Sequence, residues 1–473
     1  MKKVLITLLL LAVAGGLFAQ GFTISGTMDT IWVPFQAVSD EDNTMMGAAV
    51  GRDTNGGAGP RARLFGSAKN EDGTLGLDIQ LQFFPYAGLG FDDNVKVWWQ
   101  PIPEVRLVVG KYVESQLIGN EWDFWFRRFT VASYNSANTV FDRFDTDGGA
   151  LLVLTPGDLT IGVNFDYGTK MGFSGYGNSL YGETNIWAGG SQGSLAPRYS
   201  DGVNEFGRVM QRTQVAVGYK IQDIGLARIQ FRGANPSVGN YFTPTDKDGN
   251  PNAGYGYTSE IKAMKIEAAF RLQAVEGLDL DIGFKFPLPF NESAVKAWYK
   301  DDVKWDAVDD PAKVPEGTYQ APMVIGVGII YTAGDFRLDG IITSNFGGKA
   351  DLKDDGVYKM GPDLNVHFWP SYNIGPMSSL GNVTLGADLG FWWKGKAKFE
   401  SADTAIAPDY EVENGIMVGG GLWAKFAYAG GSITAGLALS VPTKVGQKEE
   451  SGKTVDVKAP MVFSIPILFG FSF

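Results

Sequence analysis

Hydrophobic side chains recur at every second position through most of this chain, the period of an extended strand whose two faces meet different surroundings. The stretch from Ala459 to Phe473 shows it most plainly. Met461, Phe463, Ile465, Ile467, Phe469, Phe471 and Phe473 share one face, and Val462, Ser464, Pro466, Leu468, Gly470 and Ser472 the other. The same rhythm predicts a series of hairpins. A first strand over 22–30 alternates Phe22, Ile24, Gly26 and Met28 against Thr23, Ser25, Thr27 and Asp29. Then 61–69 pairs with 74–84, 94–100 with 104–113, 148–154 with 159–167 and 213–220 with 226–232. Further along, 261–273 pairs with 278–286, 323–331 with 335–346, 363–373 with 381–394 and 415–428 with 432–441. Turn residues separate the partners, as in Asn70-Glu71-Asp72-Gly73, Pro101-Ile102-Pro103 and Thr155-Pro156-Gly157-Asp158, none of which suits a ladder interior.

The hairpin 261–273/278–286 decides what the two faces meet. Ile266, Ala268, Phe270, Leu272, Leu278, Leu280, Ile282, Phe284 and Phe286 form one face; Lys265, Glu267, Arg271, Gln273, Asp279, Asp281 and Lys285 form the other. Charges this dense at period two cannot line a soluble sandwich core. They suit the wet interior of a closed barrel whose outer face lies in lipid. Opening strand, hairpins and closing strand together predict an all-β, transmembrane antiparallel β-barrel of about 18 strands. Sixteen or twenty are the alternatives, because 121–134 (EWDFWFRRFTVASY) does not alternate cleanly. An even count places both termini and every short turn at one end, the periplasmic one. Long outer loops are expected at 31–60, 114–147, 168–207, 233–260 and 287–320. Aromatic pairs near strand ends, among them Phe83 and Tyr86, Trp98 and Trp99, Phe284 and Phe286, Phe368 and Trp369, Trp392 and Trp393, and Phe426 and Tyr428, are expected to form girdles at the two interfaces.

The amino terminus adds a compartment. Lys2 and Lys3 precede an apolar run from Val4 to Phe18 that ends at Ala19, the form of a secretory signal peptide over 1–19, leaving a single barrel domain over 20–473. With no cysteine the chain has no disulfide, thiolate metal site or lipoprotein cleavage site. Mean hydropathy is only −0.05 although 13% of residues are aromatic, as expected when lipid-facing and lumen-facing residues alternate. A formal net charge of −12 argues against nucleic acid as a partner.

Candidate chemistry is sparse. His367, the one histidine, groups with Asn365 on the polar face, where a lumenal polar residue is the expected role; no catalytic residue, metal or cofactor is expected. Acidic runs at 40–43, 246–250 and 354–356 lack the spacing of a calcium loop and read as solvated turns. The positive candidates are inward charges. Arg61, Arg63, Arg106, Arg228, Arg232 and Arg271 are expected to line the pore with Asp78, Glu267, Asp279, Asp281, Asp335 and Asp339. Basic and acidic walls facing each other would orient polar solutes; the plainer alternative is that these groups pair with one another along the wall. Trp122, Trp125, Arg127, Arg128, Arg143 and Asp145 are candidates for a constriction if 114–147 folds inward.

The aromatic ending FGFSF, with Phe469, Phe471 and Phe473, resembles the C-terminal signal read by the insertion machinery of bacterial outer-membrane barrels. The mature chain as a whole resembles porin-type outer-membrane barrels, in a Gly-, Trp- and Phe-rich style similar to that of spirochaetes such as treponemes. The resemblance implies residence in the outer membrane, contact with its lipid and with the insertion machinery, and a homo-oligomer. It also implies passive diffusion of small polar solutes, such as sugars or small ions, through a water-filled lumen. A surface barrel that binds ligands through its outer loops is the alternative, and an outer-membrane lipid hydrolase a remote third.

Overall fold

The alternating stretches form the wall of a closed sheet. In the computed structural model, residues 23–39, 44–51, 61–84, 88–114, 144–166, 213–232, 238–242, 255–260, 263–289, 295–299, 318–320, 323–351, 356–359, 361–401, 410–412, 415–444, 446–450, 453–457 and 461–472 are described. The wall strands are β1 (Thr23–Ser39), β2 (Arg61–Lys69), β3 (Leu75–Phe84), β4 (Gly88–Ile102), β5 (Val105–Glu114) and β6 (Phe144–Leu154). They continue with β7 (Leu159–Asp166), β8 (Thr213–Ile221), β9 (Gly225–Arg232), β10 (Ala263–Val275), β11 (Leu278–Pro289) and β12 (Met323–Ala333). The last third is β13 (Phe336–Phe346), β14 (Asp363–Pro376), β15 (Asn382–Lys394), β16 (Gly415–Tyr428), β17 (Gly431–Lys444) and β18 (Met461–Ser472). Each pairs antiparallel with its neighbours, and β1 meets β18 from Thr27↔Ser472 to Ser39↔Met461. The result is an 18-stranded antiparallel barrel. Among the described residues, the pairing of β1 with β18 leaves neither of them as a sheet edge.

A further strand, Thr44–Gly51, pairs with the upper half of β1, end to end with β2 on its lower half: Ile31 pairs with Gly51 and Asp29 with Arg61. The expected loop at 31–60 is corrected here. The β-branched and aromatic run IWVPF continues the strand, and Pro34 is accommodated where the register shifts between Trp32 and Phe35, a bulge that relieves it of a ladder bond. The other long connections also hold strand. Segments Val238–Phe242, Tyr255–Glu260 and Val295–Tyr299 form one small sheet, and Gly446–Glu450 with Lys453–Val457 a hairpin. Thr318–Gln320, Lys349–Asp351, Gly356–Lys359, Ala397–Ser401 and Tyr410–Val412 form another small sheet. There the Lys359 Nζ donates to Glu400 at 2.8 Å and holds that carboxyl below its ordinary pKa.

The short turns all lie at the end where β1 begins and β18 stops, as the Ser472 N to Gly430 O bond of 2.7 Å and the Thr23 Oγ1 to Ser67 Oγ contact of 2.6 Å show. Gly277 illustrates their chemistry: its φ of +75° is one L residues rarely adopt, and a Cβ there would stand 2.2 Å from the Thr332 carbonyl oxygen. Alternation in burial follows alternation in sequence. On the convex face Leu422 is 66% exposed, Ile229 53% and Leu389 52%, a cost in water and none in hydrocarbon. Among the described residues no helix is long and apolar enough to cross a membrane.

The girdle expectation needs one correction. Neighbours on a strand point to opposite faces, so adjacent aromatics divide. Trp99 is 49% exposed on the outside while Trp98 is 7% exposed on the inside. Likewise Trp369 is buried on the face shared with Asn365 and His367, and Trp392, opposite Asn365, lies on that same face. The pairs spaced by two do share the outer face: Phe284 and Phe286 stack at 6.2 Å, and Phe426 alternates with Tyr428 on β16. Tyr86 lies outside the described residues.

Candidate functional site: the inner wall

The concave face gathers polar groups from most strands, and curvature crowds them together. Its buried polar residues include Gln80 and Gln82 on β3, Asn164 on β7, Gln214 on β8, and Arg228 and Gln230 on β9. Glu267 and Arg271 follow on β10, Asp281 and Lys285 on β11, Asp339 and Thr343 on β13, Asn365 and His367 on β14, and Asp388 on β15. Buried polar atoms need partners, and cross-strand register supplies many of them. The Tyr112 hydroxyl donates to Asn164 Oδ1, whose amide donates to Gln214 Oε1 at 3.3 Å. Gln230 Nε2 donates to Glu267 Oε2 at 3.1 Å, as the Gln230↔Glu267 pairing allows. The Arg271↔Asp281 pairing places a guanidinium against a carboxylate, with Nε to Oδ1 at 2.6 Å and Nη2 to Oδ2 at 2.7 Å. Thr343 Oγ1, Asn365 Oδ1 and Ser464 Oγ are buried with no protein hydrogen-bond partner, which leaves polar atoms on this face for water or a solute.

Arg63, Asp78, Arg106, Arg228, Glu267, Arg271, Asp279, Asp281 and Asp339 all stand at inward register positions. Arg61 and Arg232 hold inward positions on β2 and β9, with side chains outside the described ones. Asp335 does not belong to the wall: it sits exposed in the Gly334-Asp335 turn at the short-turn rim. Asp145 lies on β6 opposite Val113 rather than in a loop. Trp122, Trp125, Arg127, Arg128 and Arg143, the acidic runs at 40–43 and 246–250, Asp354 and Asp355, and the 1–19 leader fall outside the described residues. At the C-terminus Phe469 and Phe471 are exposed on the outer face, and Phe473 lies outside the described residues.

The ion pairs seen join neighbours on the wall. Besides Arg271–Asp281, Lys96 Nζ reaches Asp78 at 3.9 Å across β3 and β4, and Arg337 holds Asp339 two residues along β13 at 2.7 Å. Lateral pairing needs only the 5 Å spacing between strands, far less than the span of a lumen.

Two features were missed. The inner face of β4–β8 is apolar in part: Trp98, Val108, Tyr112, Leu151, Val153 and Ala216 pack there. The run Ala150–Leu154 is apolar at every position, so its period carries no sign of which side faces inward. Indole rings also lie flat along the wall, Trp98 over Gly76 and Trp423 over Gly386, where a Cβ would stand 2.3 and 2.1 Å from the ring. The His367 ring stacks on Trp369 at 5.5 Å and 12° and lies against Gly390. This makes it a wall residue, and among the described residues no His, Asp and Glu group could hold a metal.

No family model matches the chain, and no curated protein matches it in sequence. Among solved structures it is similar to the in-vitro folded outer membrane protein OmpT of Vibrio cholerae in its trimer form, at 11% identity over 96% of this chain and 99% of that one, TM-score 0.40. It is similar to an anion-selective porin from Comamonas acidovorans at 10% identity over 96% and 99%, TM-score 0.41. It is similar also to Pseudomonas aeruginosa OccK2 (OpdF) in complex with glucuronate, at 8% identity over 96% and 97%, TM-score 0.42. None of these three comes from a spirochaete, so the treponeme-like style has no counterpart among them.

Proposed function

We propose that this chain is an outer-membrane channel through which small hydrophilic solutes diffuse passively, without catalysis. The observation that carries the reading is the inversion of polarity across one layer of strand. Acidic and basic side chains such as Glu267, Arg271, Asp281 and Asp388 are turned inward, and large aliphatic ones such as Leu389 and Leu422 outward. A wall of this kind gives a passing solute hydrogen bonds in place of those it leaves in water, and lateral pairing of the charges moderates the field it meets. Sugars and small ions both fit this chemistry. The mature chain would begin near Gln20, reach the membrane through recognition of its final strand by the insertion machinery, and assemble as a homo-oligomer. Liposome swelling tests the reading: vesicles carrying the refolded 20–473 chain should swell in small sugars and resist swelling in a large dextran. Vesicles that stay inert in every solute would refute it.

The small sheets built on the long connections favour a second reading, in which the barrel displays a ligand-binding surface. Deletion of 238–260 should then abolish attachment to host or matrix material while leaving permeation intact.

A further inference from the structure

On one side the wall continues past the outer ends of its strands. Lys349–Asp351, Gly356–Lys359 and Ala397–Ser401 prolong β13, β14 and β15 without a change of register. Asn345 pairs with Asp363 and Lys349 with Lys359, four residues further out on each strand; Asp363 pairs with Lys394 and Lys359 with Lys398, again four further. Strands that keep their register keep their faces, so Lys349, Lys359 and Lys398 stand on the inner face, above Asn345 and Asp363. The three lysines lie directly opposite one another in neighbouring strands, about 5 Å apart, an arrangement that like charges disfavour. All three are exposed. One described carboxylate reaches them: Glu400 lies 2.8 Å from Lys359 Nζ and 3.7 Å from Lys398 Nζ, and so sits between two members of the row. No described carboxylate fills the equivalent place between Lys359 and Lys349. Lys349 makes no ion pair among the described residues, although Asp351 stands two residues along its strand.

We propose that Lys349 and Lys359, with Lys398 beside them, form an entry subsite for small phosphate-bearing anions at the outer end of the channel. Glu400 shows what the row accepts: a pair of anionic oxygens held between two ammonium groups. Lysine acts as a point charge that suits a phosphate, and two of them at strand spacing can share one multiply charged anion. The side chains of Lys359 and Lys398 are 52% and 53% exposed, so a solute reaches them from water. Exposure also keeps the attraction weak and sensitive to salt, which suits capture and release on the way into a pore. The inference rests on the channel reading for its purpose, and names a class of solute for it.

Inorganic pyrophosphate is the probe, and the refolded 20–473 barrel the protein. Equilibrium dialysis in detergent at low salt measures binding, and block of bilayer current measures occupancy in the pore. Pyrophosphate should bind, and should block at a lower concentration from the side of the long connections than from the side of the short turns. Acetate, with a single charge, should do neither at equal concentration and ionic strength. Lys349→Gln and Lys359→Gln should each raise the half-saturating pyrophosphate concentration roughly threefold, the size of one exposed ion pair, and the double variant roughly tenfold. Glu400→Gln should lower it. An unchanged Lys349→Gln variant, equal binding of acetate, or an equal loss in Lys220→Gln, whose lysine is exposed at the opposite end, would overturn the subsite. A barrel that binds pyrophosphate but never conducts would refute the channel reading and keep the subsite; one that conducts but binds no pyrophosphate would do the reverse.

Discussion

Arg271 and Asp281 face each other across β10 and β11 as a doubly hydrogen-bonded pair, at 2.6 and 2.7 Å, with side chains 6% and 0% exposed. Such a pair adds little by itself, because desolvation offsets most of the attraction, but leaving one member alone costs about 3–5 kcal/mol. Arg271→Met and Asp281→Leu should therefore each destabilise the barrel by about that amount in urea unfolding from vesicles. The double variant should lose clearly less than either. A double variant as unstable as the sum of the two would mean that the residues do not act as a unit.

The glycine cradles make a second test. Because a Cβ on Gly76 would fall 2.3 Å from the Trp98 indole, Gly76→Ala should push the ring off the wall and cost about 1–3 kcal/mol. Combining it with Trp98→Ala should recover much of that cost, since the clash has gone. Gly386 and Trp423, at 2.1 Å, should behave in the same way. Additive losses in both double variants would show that the rings do not depend on these glycines.

Leu422 and Trp423 are adjacent on β16, yet one faces out and the other, paired with Gly386 and Gly436, faces in. Leu422→Arg places a charge in hydrocarbon and should cost about 2–4 kcal/mol of insertion free energy. Trp423→Arg places it in the lumen and should lose only the packing of the ring. Folding yield into vesicles measures both. Equal losses would contradict the assigned faces.

The strand faces were legible in the sequence because lipid and lumen demand opposite residues at every second position. Glu267, Arg271, Asp279 and Asp281 alternate with Phe270, Leu272, Leu280 and Ile282, and no other period fits them. The strand number followed from counting such segments between turn residues. Other features were hidden for physical reasons. Leu151, Leu152 and Val153 are apolar on both faces, so the pattern cannot say that the first and third point inward. The contact of Lys69 with Trp98 and the bed that Gly76 offers depend on cross-strand register, Lys69↔Gly76 and Gly76↔Trp98, which one strand's pattern does not reveal. Trp98 stands near a strand end, where a girdle would form, but its parity on β4 turns it inward while Trp99 faces out.

The outward ring at Phe471, on the final strand, gives a prediction about assembly. Phe471→Ser should lower the amount of barrel that reaches the membrane in cells, since recognition of the last strand is the step affected. Refolding of the purified chain into detergent should change little, because the ring stands 56% exposed on the outer face and is not buried in a core. If both fall together, the residue serves stability rather than recognition.

Single-channel recording from the refolded 20–473 chain in planar bilayers tests the central claim most directly. The account predicts stable, stepwise conductance, with a reversal potential in a salt gradient that shifts when Lys349 and Lys359 are neutralised. A barrel that is folded, as judged by heat-modifiable migration, and yet gives no steps under any voltage would contradict it.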